Sequence, residues 1–317
     1  MNLFRRAIRF FLIVAGLVAA VVAAATAFFL RYLLRPPRQP LWATPEDAGM
    51  PFEEVEFPAR DGLRLSGWFI PAGASTPQPR ATVILVHGWP WNRLGEAGDN
   101  LLANISAASP VDLLRLAHSI HHAGYHVLMF DLRNHGQSAS SGAVTFGLRE
   151  ANDLLGAIDY LSGRGDVAQD KLGAVGFSMG ANTVLYALPR TNRLRAAVAV
   201  QPTSVQVFAR RFAVDLMGPL GQPTLTLVDA AYEQLSGLHL AAIEPVFAAA
   251  GAGDTPVLYV QGQGDQWGSV SNVAHMASVT PHAVGPLIVD SVHRYGGYRA
   301  PIDQPEALLD FLREHLS

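Results

Sequence analysis

Cysteine is absent from the 317-residue chain. That excludes a thiol nucleophile, disulfide bonds and thiolate zinc sites, and it leaves the redox compartment unspecified. An excess of positive charge is missing too. The net charge is −3 and the pI is near 6.4, so there is no electrostatic footprint for nucleic acid. Charged residues make up only 15% of the chain against 50% hydrophobic ones, and one segment near the N-terminus accounts for part of that skew. There is no internal repeat, and no low-complexity tract beyond that segment. The length suits one large or two small domains with a substantial core.

What is present begins with that segment. Phe10 to Leu30 carries no charged residue and is rich in Phe, Leu, Val and Ala; as a helix it spans roughly 30 Å, the thickness of a bilayer hydrocarbon core. Residues 1–34 are therefore read as a single-pass transmembrane anchor in contact with membrane lipid. Arg5, Arg6 and Arg9 precede the run and Arg31, Arg35 and Arg38 follow it, so the positive-inside bias is nearly balanced. A cleaved signal peptide competes with the anchor, because Ala25-Thr26-Ala27 fits a small-x-small cleavage site. Either reading places the following domain outside the cytoplasm. Residues 35–50 open with Arg35-Pro36-Pro37-Arg38-Gln39-Pro40 and are read as a stiff linker that sets the helix apart from a domain spanning 51–317.

Within that domain, Asp61-Gly62 between two strand-like runs signals an antiparallel hairpin. The apolar runs Ala81 to Val86, Tyr125 to Phe130, Lys171 to Val175, Ala196 to Val200, Pro256 to Val260 and Pro286 to Val289 read as buried strands. Helical periodicity marks Val111 to His122, Leu148 to Leu161 and Pro305 to Leu316. Alternation of this kind predicts an α/β fold with a mainly parallel sheet covered on both faces. The stretch 203–251 is too long for a plain loop and is expected to form a helical cap.

Gly176-Phe177-Ser178-Met179-Gly180 lies between a strand-like and a helix-like run, the setting a nucleophile elbow requires. A serine hydroxyl attacks a carbonyl only when a base removes its proton and backbone N–H groups receive the charge moving onto the substrate oxygen. Upstream, His87-Gly88-Trp89-Pro90 follows the first long strand, and Asp131-Leu132-Arg133-Asn134-His135-Gly136-Gln137-Ser138 follows the next. With these motifs in this order, the chain from about Pro51 resembles the α/β-hydrolase superfamily. It is most similar to membrane-tethered bacterial serine hydrolases, in which a segment like Asp61-Gly62-Leu63-Arg64-Leu65-Ser66-Gly67-Trp68 precedes the His-Gly loop.

The resemblance implies an α/β-hydrolase fold and a triad in the order Ser, Asp, His. Ser178 is then the nucleophile, Asp265 after the strand ending at Val260 the acid, and His293 after the last strand the base. Asp254 and Asp290 are the alternative acids; Gln201 to Ser204, where some relatives carry theirs, holds no carboxylate. The expected oxyanion donors are the backbone N–H groups of Met179 and Trp89, and the Trp89 side chain either walls the acyl pocket or packs at the sheet edge. Of the 11 histidines, His87 and His135 match turn positions with a structural role. His118, His121 and His122 have helical spacing suited to metal ligands, but no carboxylate joins them, and a surface helix is expected. No cofactor is implied.

The expected activity is hydrolysis of a carboxylic ester, or a related acyl bond, in a small-molecule substrate through an acyl-enzyme. The cap offers Phe208, Phe212, Leu216, Met217, Leu220, Leu225 and Leu227 to line a pocket or to pack the cap on the sheet. A perhydrolase-like or peptidase-like activity on the same triad remains open, as does a catalytically silent, membrane-tethered binding protein.

Overall fold

The computed structural model describes residues 2–73, 79–99 and 109–317. Its centre is an eight-stranded sheet. The first hairpin forms as its turn chemistry dictates. β1 (Glu53–Pro58) and β2 (Arg64–Ile70) pair antiparallel, and Gly62 at the turn takes a left-handed φ of 85° that suits glycine. β3 (Arg80–Val86) follows, and then two short strands, β4 (Gly95–Glu96) and β5 (Val111–Asp112), that pair antiparallel with each other. β6 (His126–Phe130), β7 (Val167–Phe177), β8 (Leu194–Val200), β9 (Val257–Gly262) and β10 (Ala283–Val289) complete the strands. The order is β1-β2-β6-β3-β7-β8-β9-β10. β2 meets β6 antiparallel, and every pairing from β6 to β10 is parallel.

The α-helices among the described residues are α1 (Asn2–Leu34), α2 (Leu113–His122), α3 (Ala151–Ser162), α4 (Met179–Ala187), α5 (Val205–Met217), α6 (Gly221–Ser236), α7 (Pro245–Ala249), α8 (Val270–Val279), α9 (Arg294–Asp303) and α10 (Glu306–Leu316). Alternate strand residues serve opposite layers, as the two-residue repeat of a strand requires. Leu65, Phe69, Ile84, Val86 and Leu128 join the core shared with α3 and α4, whereas Trp68, Ile70, Val83, Leu85 and Val127 join the one shared with α2 and α10. Each such side chain, removed from water, contributes about 1.5–3 kcal/mol before entropy is counted.

Two expected boundaries move for local reasons. α2 starts at Leu113 rather than Val111, because Val111 and Asp112 pair with β4 and the Asp112 carboxylate caps the helix by accepting the Arg115 N–H at 3.1 Å. α3 starts at Ala151 because the Glu150 carboxylate instead holds a turn, accepting the N–H groups of Thr145 at 2.9 Å and Gly147 at 3.0 Å. One expected burial is overturned. The strand at 286–289 lies in β10, at the sheet edge with β9 its one neighbour, and Leu287 and Ile288 are each 41% exposed. An apolar run alone does not distinguish an edge strand from a central one.

α1 is the one helix, among the described residues, long and apolar enough to cross a membrane; such a helix fits an anchor or a signal sequence. Residues 4–21 are exposed throughout, whereas its last turns touch the domain. Phe29 meets Phe212 edge-on at 6.1 Å, Tyr32 meets Trp89 at 6.1 Å, and the Leu33 carbonyl accepts the Val144 N–H at 2.9 Å. Residues 35–50 do not set the helix apart from the domain as expected. Arg38 donates to the His135 carbonyl at 3.1 Å and to Ser140 Oγ at 2.7 Å, and the Asn92 amide donates to the carbonyls of Gln39 and Pro40. The backbone carbonyls of a proline-rich strip need donors wherever water is excluded, and the loop after β3 supplies them.

Candidate active site

Ser178 stands at the turn from β7 into α4 with φ 53° and ψ −115°, a backbone conformation that costs a non-glycine residue about 1–3 kcal/mol. The flanking glycines make the turn possible. A Cβ at Gly176 would come within 2.2 Å of the Gly180 carbonyl oxygen, and one at Gly180 within 2.1 Å of that of Val86. The strain is held by the Ser178 N–H donating to the Val200 carbonyl at 2.9 Å and by the Asn182 N–H donating to the Ser178 carbonyl at 3.0 Å. Met179 is the first residue of α4, so its N–H is among those without an intrahelical acceptor.

Asp265 faces this elbow from the loop after β9. Its Oδ1 accepts the N–H groups of Trp267 at 3.1 Å and Gly268 at 2.8 Å; its Oδ2 accepts from the Gln261 amide at 3.2 Å and from Arg294 Nη1 at 2.5 Å. Burial pushes the carboxyl up, but the Arg294 guanidinium and these donors outweigh it and hold the group below the usual carboxylate range. The alternative acids are elsewhere: Asp290 is exposed, and so is Asp254, 3.8 Å from His282.

The position between acid and serine is filled by Arg294. Its Nη2 donates to Ser178 Oγ at 3.2 Å and to the Gln201 carbonyl at 3.4 Å, while the buried guanidinium lies 5.6 Å over Phe208 and 5.1 Å over Tyr298. Burial favours loss of its proton, yet Asp265 more than compensates and raises its pKa further. His293, expected to bridge the two, is the residue just before Arg294 and the N-cap of α9. It is partly exposed, its Nδ1 is buried without a hydrogen-bond partner, and its ring lies 6.1 Å from Tyr295. The structure thus brings Ser178, Met179 and Asp265 together and puts Arg294, not His293, on the line between serine and acid. Sequence spacing could not separate the two, because they are adjacent and only the entry angle of α9 decides which side chain turns inward.

The loop after β3 closes the other side. A Cβ at Gly88 would lie 3.2 Å from the Phe177 carbonyl oxygen, so this loop packs against the strand that delivers Ser178. His87 accepts the Leu132 N–H at Nε2, 3.0 Å away, and its Nδ1 donates to the Gly88 carbonyl at 2.7 Å. Asp131 pairs with buried Arg93 at 2.6 Å and accepts the Gln137 N–H at 2.8 Å. Trp89 lines the same cavity as Ser178 and Met179, with its indole N–H buried and unpartnered.

Known proteins share the fold. Residues 81–217 match a family described as alpha/beta hydrolase fold, and a Pyrococcus furiosus esterase superimposes with a TM-score of 0.69 and 22% identity, covering 89% of this chain and 100% of its own. The chain has the α/β-hydrolase fold. A Pyrococcus horikoshii acylaminoacyl peptidase is also similar, with a TM-score of 0.60 and 16% identity over 84% of this chain and 42% of its own. In sequence, the uncharacterized protein YfhR of Salmonella typhi is 37% identical over 146 residues, which is 46% of this chain and 42% of that protein. The matched stretch is thus less than half of this curated relative. The family match supports a hydrolase.

In this chain the cap is α5, α6 and α7, inserted between β8 and β9. α5 is latched to the acid loop, because Arg211 donates to the Gly268 carbonyl and the Trp267 indole donates to Asp215 at 3.0 Å. Under the cap lies the cavity of Ser178, walled by Trp89, Phe146, Phe208 and Phe212 and floored by Arg294 and Tyr298. Two of its residues gave no sequence signal. Glu96 is buried, its carboxyl pushed up by burial although the Gly98 N–H and the Gln39 amide bond it. Tyr298 stands beside Ser178, its phenol pushed up to about 12 by burial. No motif marks either, since long-range closure alone brings β4 and α9 to the serine.

The histidines of α2 remain apart from the site. His121 Nε2 meets the Pro71 carbonyl at 3.0 Å and His122 Nδ1 the His118 carbonyl at 3.0 Å. Among the described residues, no cluster of three or more His, Cys, Asp or Glu side chains fits a metal ion.

Proposed function

We propose that the protein is a membrane-anchored serine hydrolase that cleaves a carboxylic ester or related acyl bond through an acyl-enzyme. The observation that carries this reading is Ser178, held at φ 53° at the head of α4 with buried, fully bonded Asp265 linked to it through one side chain. Ser178 attacks the acyl carbonyl, and the backbone N–H groups of Met179 and Trp89 take up the developing oxyanion charge. Asp265 orients the base. A guanidinium cannot accept the serine proton, because it stays charged at any physiological pH. It does stabilise an alkoxide beside it. The base is therefore His293, and the Arg294 arrangement is a resting state. A shift by one residue at the N-cap of α9 exchanges the two side chains, with Gly296 and Gly297 just beyond to absorb the change.

A second reading has a specific observation behind it. With Arg294 paired to both Asp265 and Ser178, a chain that never made this exchange would keep the fold and bind ligands without turnover. A chromogenic ester panel decides between the two. Hydrolysis that disappears in Ser178→Ala and His293→Ala but persists per folded molecule in Arg294→Ala is the expected result. Hydrolysis that survives Ser178→Ala contradicts the nucleophile, and a folded wild-type protein inert on every ester favours the silent reading.

A further inference from the structure

Beside the catalytic cavity lies a second one lined only by apolar surface, and the two share Trp89, Phe146, Val205, Phe208 and Phe212 as a common wall. Its outer wall comes from two sources: Thr224, Leu225 and Val228 of α6, and Phe29 and Leu33 of α1. The helix that forms this wall is the one long and apolar enough to cross a bilayer, and its residues 4–21 are exposed. Its uncharged run, Phe10 to Leu30, is roughly 30 Å long at the helical rise, close to a hydrocarbon core, and Phe29 sits at the end of that run. A membrane seated on that run ends at the turn of α1 that lines the apolar cavity.

We infer that this second cavity binds the long acyl chain of a membrane lipid, passed from the bilayer along α1 toward Ser178. The inference rests on the serine-hydrolase reading for the chemistry at the carbonyl, but the chain-binding cavity stands on its own geometry. An unbranched hydrocarbon chain suits it, because the walls offer aromatic and aliphatic faces with no charged group. Phe208 and Phe212 are stacked at 5.3 Å, and Trp89 and Phe146 meet edge-on at 5.6 Å, so the partition between the cavities is made of ring faces along which a chain can lie. Each buried methylene contributes about 0.8 kcal/mol, which makes selection by chain length the natural consequence. α1 is in this account both anchor and part of the substrate site.

The test uses full-length protein in phosphatidylcholine vesicles. The kcat/KM of p-nitrophenyl palmitate is compared with that of p-nitrophenyl butyrate, and binding is followed separately by photolabelling with a diazirine-bearing palmitic acid and peptide mapping. Leu225→Trp, which fills the outer cavity, is expected to lower the palmitate-to-butyrate ratio at least about 10-fold and to remove labelling from α1 and α6. Leu235→Trp, on the exposed face of α6, keeps the wild-type ratio and labelling. Labelling that persists in Leu225→Trp, or that maps away from α1 and α6, overturns the inference. If no ester is cleaved but labelling follows the expected pattern, the acyl cavity is upheld and the hydrolase reading fails; if butyrate is cleaved and the ratio is unmoved by Leu225→Trp, the reverse holds.

Discussion

At the scale of single residues, the central question is which side chain takes the proton of Ser178. Arg294 lies 3.2 Å from the serine oxygen but holds its own proton too firmly to accept another, so the proposed mechanism gives the base role to the adjacent His293. His293→Ala is expected to lower kcat on a chromogenic ester by at least about 10³-fold, since the residues of a triad act as one unit. Arg294→Ala is expected to lower the unfolding midpoint instead, because it leaves the buried Asp265 charge unpaired, a change worth about 3–5 kcal/mol. Thermal unfolding alongside kinetics separates the two effects. Loss of stability without loss of turnover per folded molecule is the signature of a resting-state partner. The oxyanion loop allows a second residue-scale test. If the Trp89 donor is its backbone N–H, Trp89→Phe keeps kcat within a few-fold while Trp89→Pro, which lacks that donor, loses at least about 10²-fold. Equal, large losses would assign the role to the indole N–H, which is buried in the cavity without a partner.

At the scale of elements, the strands and the elbow were legible in the sequence because their signals are local. Gly176 and Gly180 are required by contacts under 2.5 Å, and a strand buried on both faces reads as an unbroken apolar run. The exposure of β10 was not legible, since position at a sheet edge is a property of topology and leaves no mark on Leu287 or Ile288. The docking of residues 35–50 was hidden for a related reason: proline and arginine read as linker composition, whereas the donors that hold them, such as Asn92, come from a loop far along the chain. Of the three candidate aspartates, Asp265 is the one that lies near the elbow, linked to Ser178 through Arg294, but the inward turn of Arg294 depends on a single step of backbone register. The last turns of α1 yield a prediction at this scale. A chain beginning at Trp42 loses Phe29, Tyr32 and Leu33 and uncovers Trp89 and Phe212, so its unfolding temperature should lie below that of a chain beginning at Val22. Calorimetry on the two checks this, and equal midpoints would mean that the helix contributes no packing to the domain.

For the whole molecule, the buried imidazoles set how stability responds to acid. Burial pushes His135 down to about 3, with His87 beside it adding to the effect, and burial also pushes His87 and His126 below the ordinary value of 6.5. The unfolded chain therefore binds protons that the folded one refuses. The stabilisation from these neutral histidines is full above about pH 6.5 and is lost as pH falls toward 3. His135 by itself is expected to cost about 2 kcal/mol between pH 7 and pH 5, before the Asp265 carboxylate, held low by Arg294, begins to protonate and adds its own loss. Urea midpoints measured at these two pH values should fall accordingly, and less so in His135→Gln.

The claim that the fold carries an activated serine is tested most directly by a fluorophosphonate label followed by peptide mass spectrometry on the folded full-length protein. Such reagents react quickly only with a serine whose proton has a base to go to. Rapid modification of Ser178 is expected, with none in Ser178→Ala and a rate at least about 10²-fold slower in His293→Ala. An unlabelled wild-type protein, or undiminished labelling in His293→Ala, would contradict it.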